Sequence, residues 1–372
     1  MAEIPRFEAS DFTTSKVIAE GGFSDIREIT AFLRNNNPES PPQQEQPEDD
    51  DVHAENDSHD SSYGNTSMTL SGNRNSSSSC IVNNNKRYIV KHLKPELALN
   101  RHKLKCAAKD ICNEIQVLSA LDHKHIVEVK GLSMAGISGV VETGRADSFF
   151  LVLERLDKTL LHKISQWRHE GVRRQALSLD KLGSCSLTLG LFRERILAAQ
   201  QLASALRYLH ERRILHRDIK PGNVGFDSEG SLKLFDFGLA LELPPSNDPQ
   251  ATYDLGSAGT ARYQAPEVIK KLPYNAASES YSFSLLLWEM VALTKVFECL
   301  SAAEVKESVA LVGFRPAIAR SWPKALTALL RKGWSKRMSR RPTMAEIEAT
   351  LGDIADTDYS KKSPSKWFPK FR

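Results

Sequence analysis

From Val17 to Ile29 apolar and polar positions alternate around the pair Gly21-Gly22, the pattern of a strand, a tight turn and a second strand. Arg87 to Leu93, with Tyr88, Ile89 and Val90 clustered, predicts another strand, and Ser148 to Leu153 a further one. Between them Leu104, Ala108, Ile111, Ile115 and Leu118 recur at steps of 4, 3, 4 and 3, which is one apolar face of an amphipathic helix. From about Leu191 onward the pattern is mostly helical, with Leu202, Leu206 and Leu209 marking one helix. Phe283 to Leu293 is nearly apolar all round, as a helix buried on every side would be. Strands first and helices later predict an α+β protein whose N-terminal part is rich in sheet.

Composition changes this picture in two places. Overall, 372 residues with 41% hydrophobic and 26% charged describe an ordinary globular chain, long enough for two domains or one two-lobed unit. The net charge of +4 is unevenly spread: residues 35–85 hold nine acids and one base, a local −8, so the remainder carries +12. That stretch is rich in Asn, Ser, Pro and Gln and nearly empty of large apolar residues, so it cannot bury enough surface to offset the entropy of ordering it. The reading is an acidic disordered insertion, a solvated tether or a partner-docking segment. Residues 352–372 form a basic tail: after Tyr359 come Lys361, Lys362, Lys366, Lys370 and Arg372, interleaved with Trp367, Phe368 and Phe371. Such a tail can lie on anionic lipid or nucleic acid, but a free terminus or one packed on its own domain is the favoured reading for a short, Pro-interrupted segment.

Five cysteines at scattered spacings fit a reducing compartment better than a disulfide framework. The N-terminus has no basic and apolar leader, and the longest apolar run, Phe283 to Leu293, falls short of a bilayer span. A soluble cytoplasmic protein is expected, with the nucleus as alternative, no nucleic-acid partner, and the oligomeric state left open.

The chemistry concentrates in His216-Arg217-Asp218-Ile219-Lys220-Pro221-Gly222-Asn223, followed 18 residues after Asp218 by Asp236-Phe237-Gly238. Ala265-Pro266-Glu267 and Arg341-Pro342-Thr343 come later. Upstream lie Ala19-Glu20-Gly21-Gly22-Phe23-Ser24-Asp25-Ile26, then Tyr88-Ile89-Val90-Lys91, then Glu114 on the amphipathic helix. In this order the motifs resemble those of eukaryotic protein kinases of the serine/threonine type, most like the tyrosine-kinase-like group. The resemblance implies a two-lobed kinase fold over residues 12–351. Its N-lobe (about 12–153) would be a small antiparallel sheet with one main helix, and its C-lobe (about 157–351) larger and helical.

The resemblance also implies roles. ATP and Mg²⁺ would be donor and cofactor, with serine or threonine residues of protein substrates as acceptors. Asp218 would be the catalytic base and Lys220 would reach the γ-phosphate. Lys91, held by Glu114, would pair with the α- and β-phosphates. Asn223 and Asp236 offer the hard oxygen ligands that Mg²⁺ prefers. The nucleotide would be lined by Ile18, Ala19, Glu20, Gly21, Gly22, Phe23, Ser24, Ile26, Ile89 and Lys91, with Leu153 as gatekeeper, Glu154 and Leu156 at the hinge, and Gly225 as floor. Glu267 and Arg341 are expected to pair. Thr260 matches the threonine that bridges toward Asp218 and Lys220, while Thr252 and Ser257 are activation-segment acceptors for which Arg217 would receive the phosphate.

Several positions depart from the family pattern. Glu279 stands where an aspartate usually holds the catalytic-loop backbone, and Ser284 replaces a glycine. Ile89, Gly225 and Phe235 are unusual around the adenine, and a compensation is expected in which Ile89 and Phe235 fill volume that Gly225 vacates. These departures leave open a pseudokinase, a nucleotide-binding or scaffold module without phosphoryl transfer. A small-molecule kinase sharing the catalytic loop is opposed by the Ala-Pro-Glu and Arg-Pro elements.

Overall fold

The structure, a computed structural model, describes residues 4–33, 87–136, 140, 148–177 and 183–357. The acidic insertion at 35–85 and the tail from 358 onward lie outside the described residues. The strands are β1 (Arg6–Phe7), β2 (Phe12–Glu20), β3 (Ser24–Phe32), β4 (Tyr88–Leu93), β5 (Val129–Ser133), β6 (Phe150–Glu154), β7 (Lys158–Thr159), β8 (Ile214–Leu215), β9 (Val224–Phe226), β10 (Leu232–Leu234) and β11 (Leu241–Glu242). The helices are α1 (Arg101–Leu118), α2 (Leu160–Leu177), α3 (Gly183–Glu211), α4 (Pro266–Ile269), α5 (Ala277–Ala292), α6 (Ala302–Glu307), α7 (Lys324–Gly333) and α8 (Met344–Asp356).

Six strands form one sheet in the order β1-β5-β6-β4-β3-β2. It is antiparallel except where β1 runs parallel to β5. This is the two-lobed architecture that the sequence predicts, with two differences at its ends. The sheet begins before residue 12, because Phe7 is fully buried and joins Phe12, Phe32, Tyr88 and Phe150 in an aromatic cluster. The basic tail does not begin at 352: α8 continues to Asp356, since Ile354 and Ala355 complete its buried face. Helix also starts earlier than Leu191, in α2 and α3.

The β3–β4 register sets Ile26 opposite Lys91, and β4–β6 sets Ile89 opposite Leu153 and Lys91 opposite Leu151. Leu93, Ala107, Ala108, Ile111 and Phe149 seat α1 against this sheet, and the Asn100 side chain caps the helix by accepting from Lys103 N–H at 3.0 Å. In the C-lobe α5 is buried on almost every face, as its unbroken apolar run predicts. Thr343 and Glu346 make a reciprocal capping box that starts α8, which lies against α3 through Arg207–Glu348 (3.2 Å) and Arg193 Nε–Ala355 O (3.1 Å). Among the described residues no helix is long and apolar enough to cross a membrane.

Candidate active site

Two clusters of charged side chains meet between the lobes. In the first, Lys91 Nζ lies 2.6 Å from Glu114 Oε2 and 3.0 Å from Asp236 Oδ1. The strand supplies the lysine, the rim of the α1 apolar face supplies Glu114, and the turn after β10 supplies Asp236. Burial alone would strip the Lys91 charge, but the carboxylates of Glu114 and Asp236 outweigh it and raise its pKa. Burial pushes Glu114 up, whereas Lys91 overcomes burial at Asp236 and holds that carboxyl below its usual range. The Phe237 N–H beside the Glu114 carboxylate works with Lys91 against that burial. Asp236 sits in the left-handed region at φ 68°, a strain of the kind that active sites retain.

The second cluster is built on the loop between β8 and β9. Asp218 Oδ1 accepts from Thr260 N–H at 2.8 Å and Thr260 Oγ1 at 2.7 Å, while Oδ2 accepts from Lys220 Nζ at 2.6 Å and Asn223 Nδ2 at 3.0 Å. Burial would raise the Asp218 pKa, but these donors, Lys220 foremost, bring it below the usual carboxylate value. Asn223 Nδ2 also donates to Asp218 O at 2.9 Å, which turns the carbonyl end of the amide away from the loop. Phe235 N–H donates to Asn223 O at 3.0 Å and so ties the two clusters together.

The loop is held from behind. Glu279 Oε1 accepts from Arg217 N–H at 2.6 Å and Oε2 from His210 Nε2 at 2.6 Å. The longer side chain therefore makes the anchor in place of the usual aspartate. His216 Nε2 lies 3.0 Å from Phe235 O; a carbonyl only accepts, so the proton sits on Nε2 and Nδ1 is left to accept from Asp218 N–H at 3.3 Å. The Glu267–Arg341 pair is bidentate and buried, its Nη2–Oε2 arm 2.8 Å long.

On the nucleotide side, Ala19 and Glu20 pair with Ile26 and Asp25, and Gly21 N–H donates to Ser24 O at 2.7 Å to close the turn. A Cβ on Gly21 would lie 2.7 Å from Ser24 Oγ, so this tip has no room for a side chain there. Ile18 and Phe23 are exposed and Ser24 is buried. The Glu154 carboxylate accepts from Glu128 N–H at 2.9 Å and meets Lys233 at 3.0 Å. The compensation expected around Gly225 is made differently: a Cβ there would lie 2.6 Å from Leu156 Cδ1 and 3.2 Å from Leu156 Cβ. Leu156, rather than Ile89 or Phe235, takes the vacated volume, because the turn into β7 brings it directly over β9.

Thr252 and Ser257 are exposed, and the Ser257 hydroxyl accepts from Gln264 Nε2 at 3.4 Å. Arg217 is engaged without phosphate, Nη2 donating to Leu255 O at 2.7 Å and Nε to Tyr274 Oη at 3.2 Å. Two further residues escaped the sequence reading. Asn113 Nδ2 donates to the carbonyls of Phe237, Gly238 and Ala240 at 3.2, 3.0 and 2.8 Å, binding α1 to the Asp236 segment. Its signal was an amide beside Glu114 in a helix that otherwise needs none there. Gly259, at φ 87°, turns so tightly that a Cβ would strike Arg217 O, and a glycine directly before Thr260 was the available sign.

The donor set suits a magnesium nucleotide. Asp236 and the Asn223 carbonyl are hard oxygens, and Lys91 is a fixed cation beside them. Among the described residues no three His, Cys, Asp or Glu side chains form a metal cage of their own. A cation held here would share its shell with ligand oxygens, as Mg²⁺ does on phosphates.

Comparison with known proteins agrees with this geometry. A family profile described as protein kinase domain matches residues 71–350. The dual specificity protein kinase shkB of Dictyostelium discoideum is 35% identical over 158 residues, 42% of this chain and 24% of that protein. The serine/threonine/tyrosine-protein kinase HT1 of Arabidopsis thaliana is 32% identical over 153 residues, 41% of this chain and 38% of that protein. The serine/threonine-protein kinase STY17 of the same plant is 27% identical over 265 residues, 71% of this chain and 40% of that protein. The chain thus spans well under half the length of each of these relatives.

Proposed function

The chain belongs to the protein kinase family, and on that premise we propose that it phosphorylates serine and threonine hydroxyls of protein substrates, using MgATP, with Asp218 as the catalytic base. The observation that carries this reading is the Asp218 carboxylate, fixed by Thr260 on one oxygen and by Lys220 and Asn223 on the other. Lys220, two positions after the aspartate, and Thr260 on the activation segment are the residue types of the serine/threonine kinases. The relatives' names support the same class, and the dual-specificity names among them make tyrosine the alternative acceptor.

Asn223 and Asp236 would hold Mg²⁺, which when bound neutralises triphosphate charge as the phosphoryl group is transferred. Lys91, kept charged by Glu114, is set to pair with the α- and β-phosphate oxygens. Asp218 orients the acceptor hydroxyl and takes its proton as the new oxygen–phosphorus bond forms and the bond to the β-phosphate oxygen breaks. Lys220 is placed to leave Asp218 and follow the charge on the transferred group. A pseudokinase has no geometric support, since Lys91, Glu114, Asp218, Asn223 and Asp236 all stand in place. Action in a reducing compartment such as the cytoplasm is part of the same proposal, from the five scattered cysteines of the sequence.

The test is phosphate incorporation from MgATP into protein substrates by wild type and Asp218→Asn, with phosphoamino-acid mapping. Phosphoserine or phosphothreonine falling at least about 100-fold in the variant supports the proposal. Phosphotyrosine alone would overturn the acceptor class. Nucleotide binding without incorporation would overturn phosphoryl transfer.

A further inference from the structure

The stretch that leads from β11 to Thr260 is held to the C-lobe at a series of points outside the two charged clusters. Tyr253 and Tyr274 exchange backbone hydrogen bonds in both directions, each 3.0 Å long. Beside Tyr274, Asn275 divides its amide between two tasks. Its Oδ1 accepts from Ala277 N–H at 3.0 Å, at the start of α5, while Nδ2 donates to Ala251 O at 3.1 Å. Tyr253 Oη donates to Pro244 O at 3.1 Å, and Gln264 Nε2 donates to the carbonyls of Ala258 and Gly259 at 2.8 and 3.1 Å.

Arg217 closes this series from the catalytic loop. Its backbone lies in the left-handed region at φ 68°, with its N–H given to Glu279 on α5. Its guanidinium joins Leu255 O, at 2.7 Å, to the Tyr274 hydroxyl, at 3.2 Å. An arginine fork has only donors and needs acceptors to match; a carbonyl and a phenol supply them here. Tyr274 is 2% exposed, and burial raises the pKa of its hydroxyl against the pull of Arg217. It therefore meets the guanidinium as a neutral group. The residue after Leu255 is Gly256, at φ 64° and with no hydroxyl to carry a phosphate, and the Ser257 hydroxyl is taken by Gln264.

Tyr274 is thus engaged twice, by its backbone with Tyr253 and by its side chain with Arg217. Asp218 follows Arg217 directly, and Thr260, which fixes the Asp218 carboxylate, ends the same stretch. Loosening at Tyr274 would reach the base from both sides.

We propose that Tyr274 is a positioning residue that sets the stretch from Ala251 to Thr260 for catalysis, so that the chain is active with no phosphate on Thr252, Tyr253 or Ser257. This role presupposes the phosphotransfer proposed above for Asp218.

The test pairs kinetics with hydrogen exchange on the full chain, with myelin basic protein as acceptor. A chain carrying Thr252→Ala and Ser257→Ala, treated with phosphatase and shown by intact mass to bear no phosphate, should keep kcat within about twofold of wild type. Tyr274→Phe removes one oxygen and keeps the ring. It should lower kcat about 10-fold, leave KM for ATP unchanged and raise hydrogen exchange severalfold in residues 251–256. A tyrosine that served only as packing would move none of these. Wild-type kcat and exchange in Tyr274→Phe would overturn the proposal, as would loss of activity in the phosphate-free double variant while phosphorylated wild type remains active. That second result would leave phosphotransfer standing. No incorporation by wild type in any form would instead overturn the phosphotransfer reading and this role with it.

Discussion

Leu156 and Gly225 divide between them a volume that one larger side chain at position 225 would fill alone. Gly225→Leu should therefore cost about 1–3 kcal/mol of packing and weaken nucleotide binding, and Leu156→Ala in the same chain should recover much of both. Calorimetric titration with ATP and thermal melts read the two effects; a Gly225→Leu chain that binds as well as wild type would refute the shared volume. Glu279 makes a prediction about pH. Burial would raise its pKa, but His210 and the Arg217 N–H hold it below its ordinary 4.5. Its stabilisation is thus complete above about pH 4.5 and is lost as pH falls through the lower folded-state value. Glu279→Gln should be less stable than wild type at pH 7, with the gap closing on acidification, and thermal melts from pH 7 to 3 check the slope. Lys91, Asp218, Asn223 and Asp236 were legible in the sequence because their neighbours form fixed motifs. Asn113 and Leu156 were not, since each acts on backbone or empty volume contributed by distant segments.

Elements carry a second kind of complementarity. Ser284, where the family has glycine, donates to Ser280 O at 2.7 Å within α5, and α7 answers with Gly333, whose Cβ would collide with the Ser284 hydroxyl. Gly333→Ala should destabilise the C-lobe by about 1–3 kcal/mol. The loss should shrink when Ser284→Gly is added, a coupling that a double-mutant cycle in urea measures. The ion pair joining α4 to the turn before α8 behaves differently, because Arg341 is buried. Arg341→Leu leaves Glu267 unpaired and should cost about 3–5 kcal/mol, visible as a lower unfolding midpoint. Periodicity read α1 and α5 from the sequence, since each has a strongly one-sided or wholly apolar pattern. It missed α2, whose polar residues face solvent on most sides, and β1, whose two residues are too few for any period to show.

At the scale of the molecule, β3 and β4 are adjacent strands joined through roughly 55 residues, and their register from Ser24–Leu93 to Glu28–Ile89 is continuous. Loop-closure entropy grows only slowly with length. Replacing residues 35–85 with a short flexible turn should therefore leave the melting temperature equal or higher and the proposed kinase activity intact; a lower melting temperature would mean that the insertion contributes to the folded core. The family profile begins at residue 71, after β1, β2 and β3, so similarity alone understates the folded unit. The same feature sets a schedule during synthesis. At about 5–20 residues per second, the hairpin that carries Gly21 and Gly22 leaves the ribosome roughly 3–10 s before β4 follows it. For that interval Phe12, Ile29 and Phe32, buried in the finished protein, have no strand to close over them, which makes the nascent hairpin a natural client for a chaperone.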